Sequence, residues 1–156
     1  MIINSSNKMR MEQRKHSSLV FELEKILSTD DKKIKVGKEI FRQLLIKNPN
    51  FMKMYKPLQS VTLPQALNLD YLTKMAICYV DNIMKIVRNF NEEEKLQETV
   101  KYLAGIHTNR GLTVAHFVSI LPIFTDTIVS YMEIDDNKES MQFILSTVFP
   151  MIGKRL

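Results

Sequence analysis

A chain of 156 residues carrying a net charge of +5, with 45% hydrophobic and 25% charged residues, has the length of one domain and too much apolar content for a disordered polymer. Its lone cysteine, Cys78, excludes a disulfide scaffold and a Cys-rich zinc site, and no apolar run approaches the roughly 18 residues that a membrane-spanning helix requires. The positive charge gathers in residues 1–56, with 13 Lys and Arg against 6 Asp and Glu, yet the lysines alternate with acids and apolar residues and no nucleic-acid-binding motif accompanies them. It therefore reads as a solvated helix surface.

Residues 1–16 are polar and basic and read as a flexible N-terminal tail without a secretory signal. Ile2 rules out N-myristoylation, and the expected compartment is the cytoplasm. Ser17 or Ser18 can cap a first helix running to about Leu27, with Leu19, Leu23, Ile26 and Leu27 on one stripe. Asp30 or Asp31 can cap a second, with Val36, Ile40, Phe41, Leu44 and Leu45 inward, ending near Asn48 because the residue before Pro49 resists helical geometry. Residues 49–68 read as a short helical turn plus loop, broken at Pro57 and Pro64.

A long helix is predicted from Leu69 to Phe90, with Leu72, Ala76, Tyr79, Ile83, Ile86 and Phe90 on its apolar stripe. Asn91 is the expected cap of the next, whose face carries Leu96, Val100, Leu103, Ala104 and His107 and whose start places Glu92, Glu93 and Glu94 at the positive end of the helix dipole. Gly111 marks a turn, a helix follows over 113–132 with an expected kink at Pro122, and Asp135-Asp136-Asn137 reads as a loop. A last helix runs from Lys138 to Gly153. Six or seven helices without strand signals make an all-α domain.

His107 is the informative residue. The spacing 96, 100, 103, 107 places its imidazole on the core side of a helix, where a half-polar ring needs partners for both nitrogens. One reading is a core histidine bonded to a backbone carbonyl. The other is a metal ligand whose second nitrogen fixes the tautomer. Zinc would need three or four protein ligands, but His16 lies in the tail and His116 starts another helix. A single histidine facing an apolar pocket suits an iron whose equatorial ligands come from a porphyrin.

The stretch Leu103-Ala104-Gly105-Ile106-His107-Thr108-Asn109-Arg110-Gly111-Leu112, followed by His116-Phe117, resembles the proximal region of a globin. Upstream, Gly37 to Leu45 ahead of Pro49 is similar to the second helix of globins, and Met75-Ala76 to Ile86-Val87 is similar to the distal helix. The resemblance spans residues 17–153 and points to invertebrate or nerve-type globins. It implies an all-α globin-like fold of six to eight helices over 17–156 around a haem pocket, with haem b (iron protoporphyrin IX) as cofactor. The implied function is binding of O2, CO or NO, oxygen transport among the roles, or redox, electron-transfer or gas-sensing work.

Residue by residue, the resemblance implies His107 as the proximal iron ligand through Nε2. Leu103 would press on the proximal haem face, and Leu112 and Phe117 would be apolar haem contacts. Phe41, eight residues before Pro49, matches a distal residue. Tyr55, six after Pro49, stands where the family almost always has Phe, and Leu58 would be its apolar neighbour. The family's distal histidine aligns with Met75, and the apolar residue four later with Tyr79. No histidine lies between residues 17 and 106, so distal histidine ligation is excluded. Met75 either binds iron as a sixth ligand through its thioether or fills space. Alternatively the hydroxyl of Tyr79 or Tyr55 donates to a bound gas. Cys78, beside Tyr79, reads more readily as a buried inert thiol than as a redox group.

The alternative from another class is a haem-free helical interaction or regulatory module, which expects the space beside His107 to be filled by side chains. Side-chain catalysis has no support, since no GxSxG, HExxH, P-loop or GxGxxG occurs; any turnover would be haem-based. Oligomeric state stays open, a homodimer included.

Overall fold

The computed structural model describes residues 11–108 and 110–156 and builds seven α-helices among them, with no strand. In chain order these are α1 (Gln13–Ile26), α2 (Asp30–Lys47), α3 (Leu63–Leu67), α4 (Asp70–Asn89), α5 (Glu93–His107), α6 (Val114–Val129) and α7 (Asp135–Gly153). Two 3-10 turns, Pro49–Met54 and Lys56–Leu58, fill the connection after α2. None of these helices is long and apolar enough to cross a membrane.

Helix starts differ from the sequence expectation in instructive ways. The tail expected over 1–16 falls mostly on residues 1–10, outside those described; residues 11–16 are instead tied to the fold. Asn91, expected to cap α5, accepts from the backbone N–H of Met11 at 2.9 Å and donates to its carbonyl at 3.1 Å. His16 is buried and donates through Nε2 to the Val87 carbonyl at 2.6 Å, so α1 begins at Gln13 rather than at Ser17. Thr29, not Asp30 or Asp31, caps α2, because its side chain reaches the Lys32 N–H at 3.2 Å and leaves the two aspartates in the first turn against the dipole.

The acidic stretch expected to be a loop opens α7. Its cap is supplied from far away in the chain: the buried Glu22 carboxylate accepts from the backbone N–H of Glu133 at 2.7 Å and of Ile134 at 3.2 Å, and from the Asn137 side chain at 3.0 Å. A carboxylate there satisfies orphan donors and meets the positive end of the helix. Glu22→Ala is therefore expected to destabilise the fold by about 1–3 kcal/mol, read as a lower urea midpoint, with Glu22→Gln intermediate because one acceptor oxygen remains.

Packing follows the apolar stripes. α2 lies mainly against α4 and α6, α6 against α7, and α1 against α7. Leu19, Leu23, Val36, Ile40, Leu96, Val100 and Leu103 join one large core, while Phe41, Leu45, Leu58 and Leu72 form a smaller cluster beneath the 49–69 segment. Helix α6 continues through Pro122, whose missing N–H frees the carbonyl at the exposed Val118, and α7 continues through Pro150. Gly111 joins α5 to α6 at φ 72°, a left-handed conformation that favours glycine.

Candidate functional site

His107 is the last residue of α5, one turn beyond Leu103. Its Nδ1 donates to the Leu103 carbonyl at 2.6 Å, a bond within its own helix that fixes the tautomer and leaves Nε2 as the lone-pair nitrogen. The ring stands edge-on to Phe117 at 5.2 Å. Burial holds the imidazole below its ordinary value of 6.5, against the opposing pull of the Leu103 carbonyl and with a smaller contribution from the Arg110 charge in the same direction. The ring is thus neutral at pH 7, and Nε2 has no hydrogen-bond partner among the described residues.

His107 borders a cavity of about 350 Å³, in the size range of small-molecule sites. Helices α2, α4, α5, α6 and α7 and the first 3-10 turn all contribute to it. Of the residues singled out from the sequence, Tyr55, Met75, Tyr79, Leu103, His107, Leu112 and Phe117 border it. Phe41 and Leu58 do not. Both are fully buried in the smaller cluster, and Phe41 lies behind Tyr79, with the two rings stacked at 4.5 Å and 9°. A phenol in α4 fills the space through which Phe41 would have reached the cavity.

Tyr79 and Tyr55 hydrogen-bond to each other through their hydroxyls. Burial pushes both phenols up, Tyr79 well above 10, so both stay protonated at ordinary pH. Cys78 is exposed at the cavity's edge, which corrects the expectation of a buried thiol. His116 also borders the cavity, but its Nδ1 accepts from the Thr113 N–H at 2.9 Å in the cap of α6.

The sequence reading missed Leu44, Ile83, Ile86, Ile120, Phe124, Phe149 and Ile152 as wall residues. Their signal was present as periodicity: 117, 120 and 124 share a face of α6, and 79, 83 and 86 a face of α4. Periodicity marks such residues as inward without separating core from cavity. Phe51 and Met54 sit on the 3-10 turn, where no periodic signal exists. A second groove, of about 680 Å³, lies between α1, α2 and α4, where Lys33 pairs with Asp81 at 2.8 Å and Arg88 with Glu24 at 3.2 Å.

The haem-free reading expects the region beside His107 to be filled solid; a mainly apolar cavity lies there instead. Fold and site together define an all-helical protein that presents the neutral imidazole of His107 to a mainly apolar cavity. The globin family model matches residues 38–152, and the chain belongs to the globin family. It is 21% identical over 140 residues to a globin of Isoparorchis hypselobagri, covering 89% of this chain and 94% of that protein. Among solved structures it resembles a hexacoordinated heme protein from an anhydrobiotic tardigrade, crystallised at pH 4, with a TM-score of 0.79 at 16% identity over 95% of this chain and 96% of the other.

Proposed function

We propose that this globin binds haem in the cavity beside His107, with Nε2 as the protein's iron ligand, and that it binds a small diatomic gas there. The observation that carries the reading is a histidine bordering a mainly apolar cavity, its Nε2 without a hydrogen-bond partner among the described residues. No group of three or more His, Cys, Asp or Glu residues suited to a metal occurs among the described residues. One imidazole therefore suits a metal that brings its own equatorial donors better than a bare ion, which would need three or four protein ligands. A single cysteine leaves no CxxCH attachment motif, so the group would be non-covalent, as in haem b.

Haem supplies an iron centre able to take a small ligand and to change oxidation state. The chain's own residues supply the rest. The Leu103 carbonyl holds Nδ1–H and so orients the ring and raises the basicity of Nε2. Leu103, Leu112 and Phe117 would press on the porphyrin, and with Ile83, Ile86 and Phe124 they would give it an apolar bed. Tyr55 and Tyr79 border the cavity and carry hydroxyls, which favours a ligand with an acceptor atom over a purely electron-transferring site. Met75 borders the same space, and we read it as filler.

Titrating the apoprotein with haem is expected to produce a Soret band that saturates at one equivalent; no band would reject the reading. Met75→Ala is expected to leave the ferric and ferrous spectra unchanged in spin state. A change from a six-coordinate low-spin to a five-coordinate spectrum would instead make Met75 the sixth ligand.

A further inference from the structure

Two of the cavity's polar side chains are held against each other. Tyr55 follows the first 3-10 turn and Tyr79 lies midway along α4, and their hydroxyls share a hydrogen bond at the cavity wall. Phe41 lies flat on Tyr79 at 4.5 Å and edge-on to Tyr55 at 5.7 Å, and Phe124 meets Tyr79 at 5.7 Å. Because Phe41 is fully buried, this three-ring stack cannot slide without opening the core. The hydroxyls are thus held together by packing as well as by their own bond.

Two phenols carry two hydroxyl hydrogens. One is used inside the pair, and the other has no partner among the described residues. Either oxygen can be the donor within the pair, so exchanging roles requires only rotation of the two hydroxyl hydrogens and no movement of the rings. A phenol that accepts a hydrogen bond is also polarised into a better donor. Burial keeps both protonated, so the free hydrogen persists across ordinary pH.

We propose that Tyr55 and Tyr79 act as one interchangeable hydrogen-bond donor toward a small acceptor-bearing ligand in the cavity, so that either phenol alone still supplies the donor. This rests on the haem-binding reading. The wall then offers one donor from this pair rather than two, and losing either hydroxyl alone changes the ligand's surroundings far less than losing both.

The test uses the whole chain as wild type, Tyr55→Phe, Tyr79→Phe and the double variant. Each is reconstituted with haem, reduced and exposed to CO, whose infrared stretching frequency reports a nearby donor. Wild type and both single variants are expected to share the lowered frequency of a donor-containing pocket, and only the double variant to move to that of an apolar one. CO escape should follow the same pattern, with the singles within about threefold of wild type and the double about tenfold faster, the size of one hydrogen bond. One single variant reproducing the double would mean one fixed donor. Two equal, additive shifts would mean two independent donors, and an unchanged double variant would mean none; each overturns the proposal. In the apoprotein the mutual bond is lost with either hydroxyl, so the singles should lower the melting midpoint equally and the double no further. Additive losses there also overturn it. Absence of a Soret band in wild type removes the haem reading itself, and this proposal with it, which separates that failure from the others.

Discussion

His107→Ala is expected to reduce haem affinity by well over the roughly 10–100-fold that disturbing a residue behind a metal ligand costs, because it removes the ligand itself. In practice the Soret band of the reconstituted variant should be lost on passage through a desalting column while wild type retains it. Adding free imidazole to the variant should partly restore the spectrum, since the substitution leaves a ring-shaped space between Phe117 and the cavity. Retention equal to wild type would mean that another group holds the haem. Acid should act on the same nitrogen. A protonated Nε2 has no lone pair to give, so affinity should be constant above about pH 6.5 and fall as pH drops through the depressed value of His107. The same shift bears on the stability of the apoprotein. Burial disfavours the imidazolium in the fold, so below about pH 6.5 the unfolded chain takes up a proton that the folded chain refuses. The contribution is fully present above pH 6.5 and is lost as pH falls. A urea midpoint that rose between pH 6.5 and 5 in wild type relative to His107→Ala would contradict this.

Gly37→Ala is the second substitution with a large expected effect, this time on the scaffold. A Cβ on Gly37 would stand 2.4 Å from the Ala76 carbonyl oxygen and 2.7 Å from its Cα, both backbone atoms of α4. No side chain can swing aside, so α2 and α4 must separate. Overpacking of this kind costs about 1–3 kcal/mol and occasionally more, which for a chain of this size is a melting midpoint about 3–10 °C lower. The same two helices carry Phe41 and Tyr79, so their separation should also loosen the ring stack behind the cavity. A variant that melts with wild type would show that the two backbones do not approach so closely.

Helices α2, α4 and α5 were legible from periodicity because each needs only one buried stripe, and a spacing of three and four records that stripe in the sequence. Helix starts were less legible. Ser17, Asp30 and Asn91 are all good capping residues by type, yet α1 starts earlier, Thr29 takes the second position, and Asn91 holds Met11 instead. A cap preference records what a side chain can bond to, not which backbone lies nearest. Glu22 shows the limit most clearly, since its partners at Glu133, Ile134 and Asn137 lie more than 100 positions away and nothing local marks them.

The sequence by itself determined an all-helical chain with His107 on an inward face, because helix periodicity and residue type are local properties. Only the tertiary structure decided that this face borders a cavity rather than solid core, that Tyr79 stands between Phe41 and that space, and that Tyr55 and Tyr79 meet. The physical reason is that periodicity states which way a side chain points, whereas empty space depends on how the volumes of five helices fit together, and no single stretch of sequence records that sum.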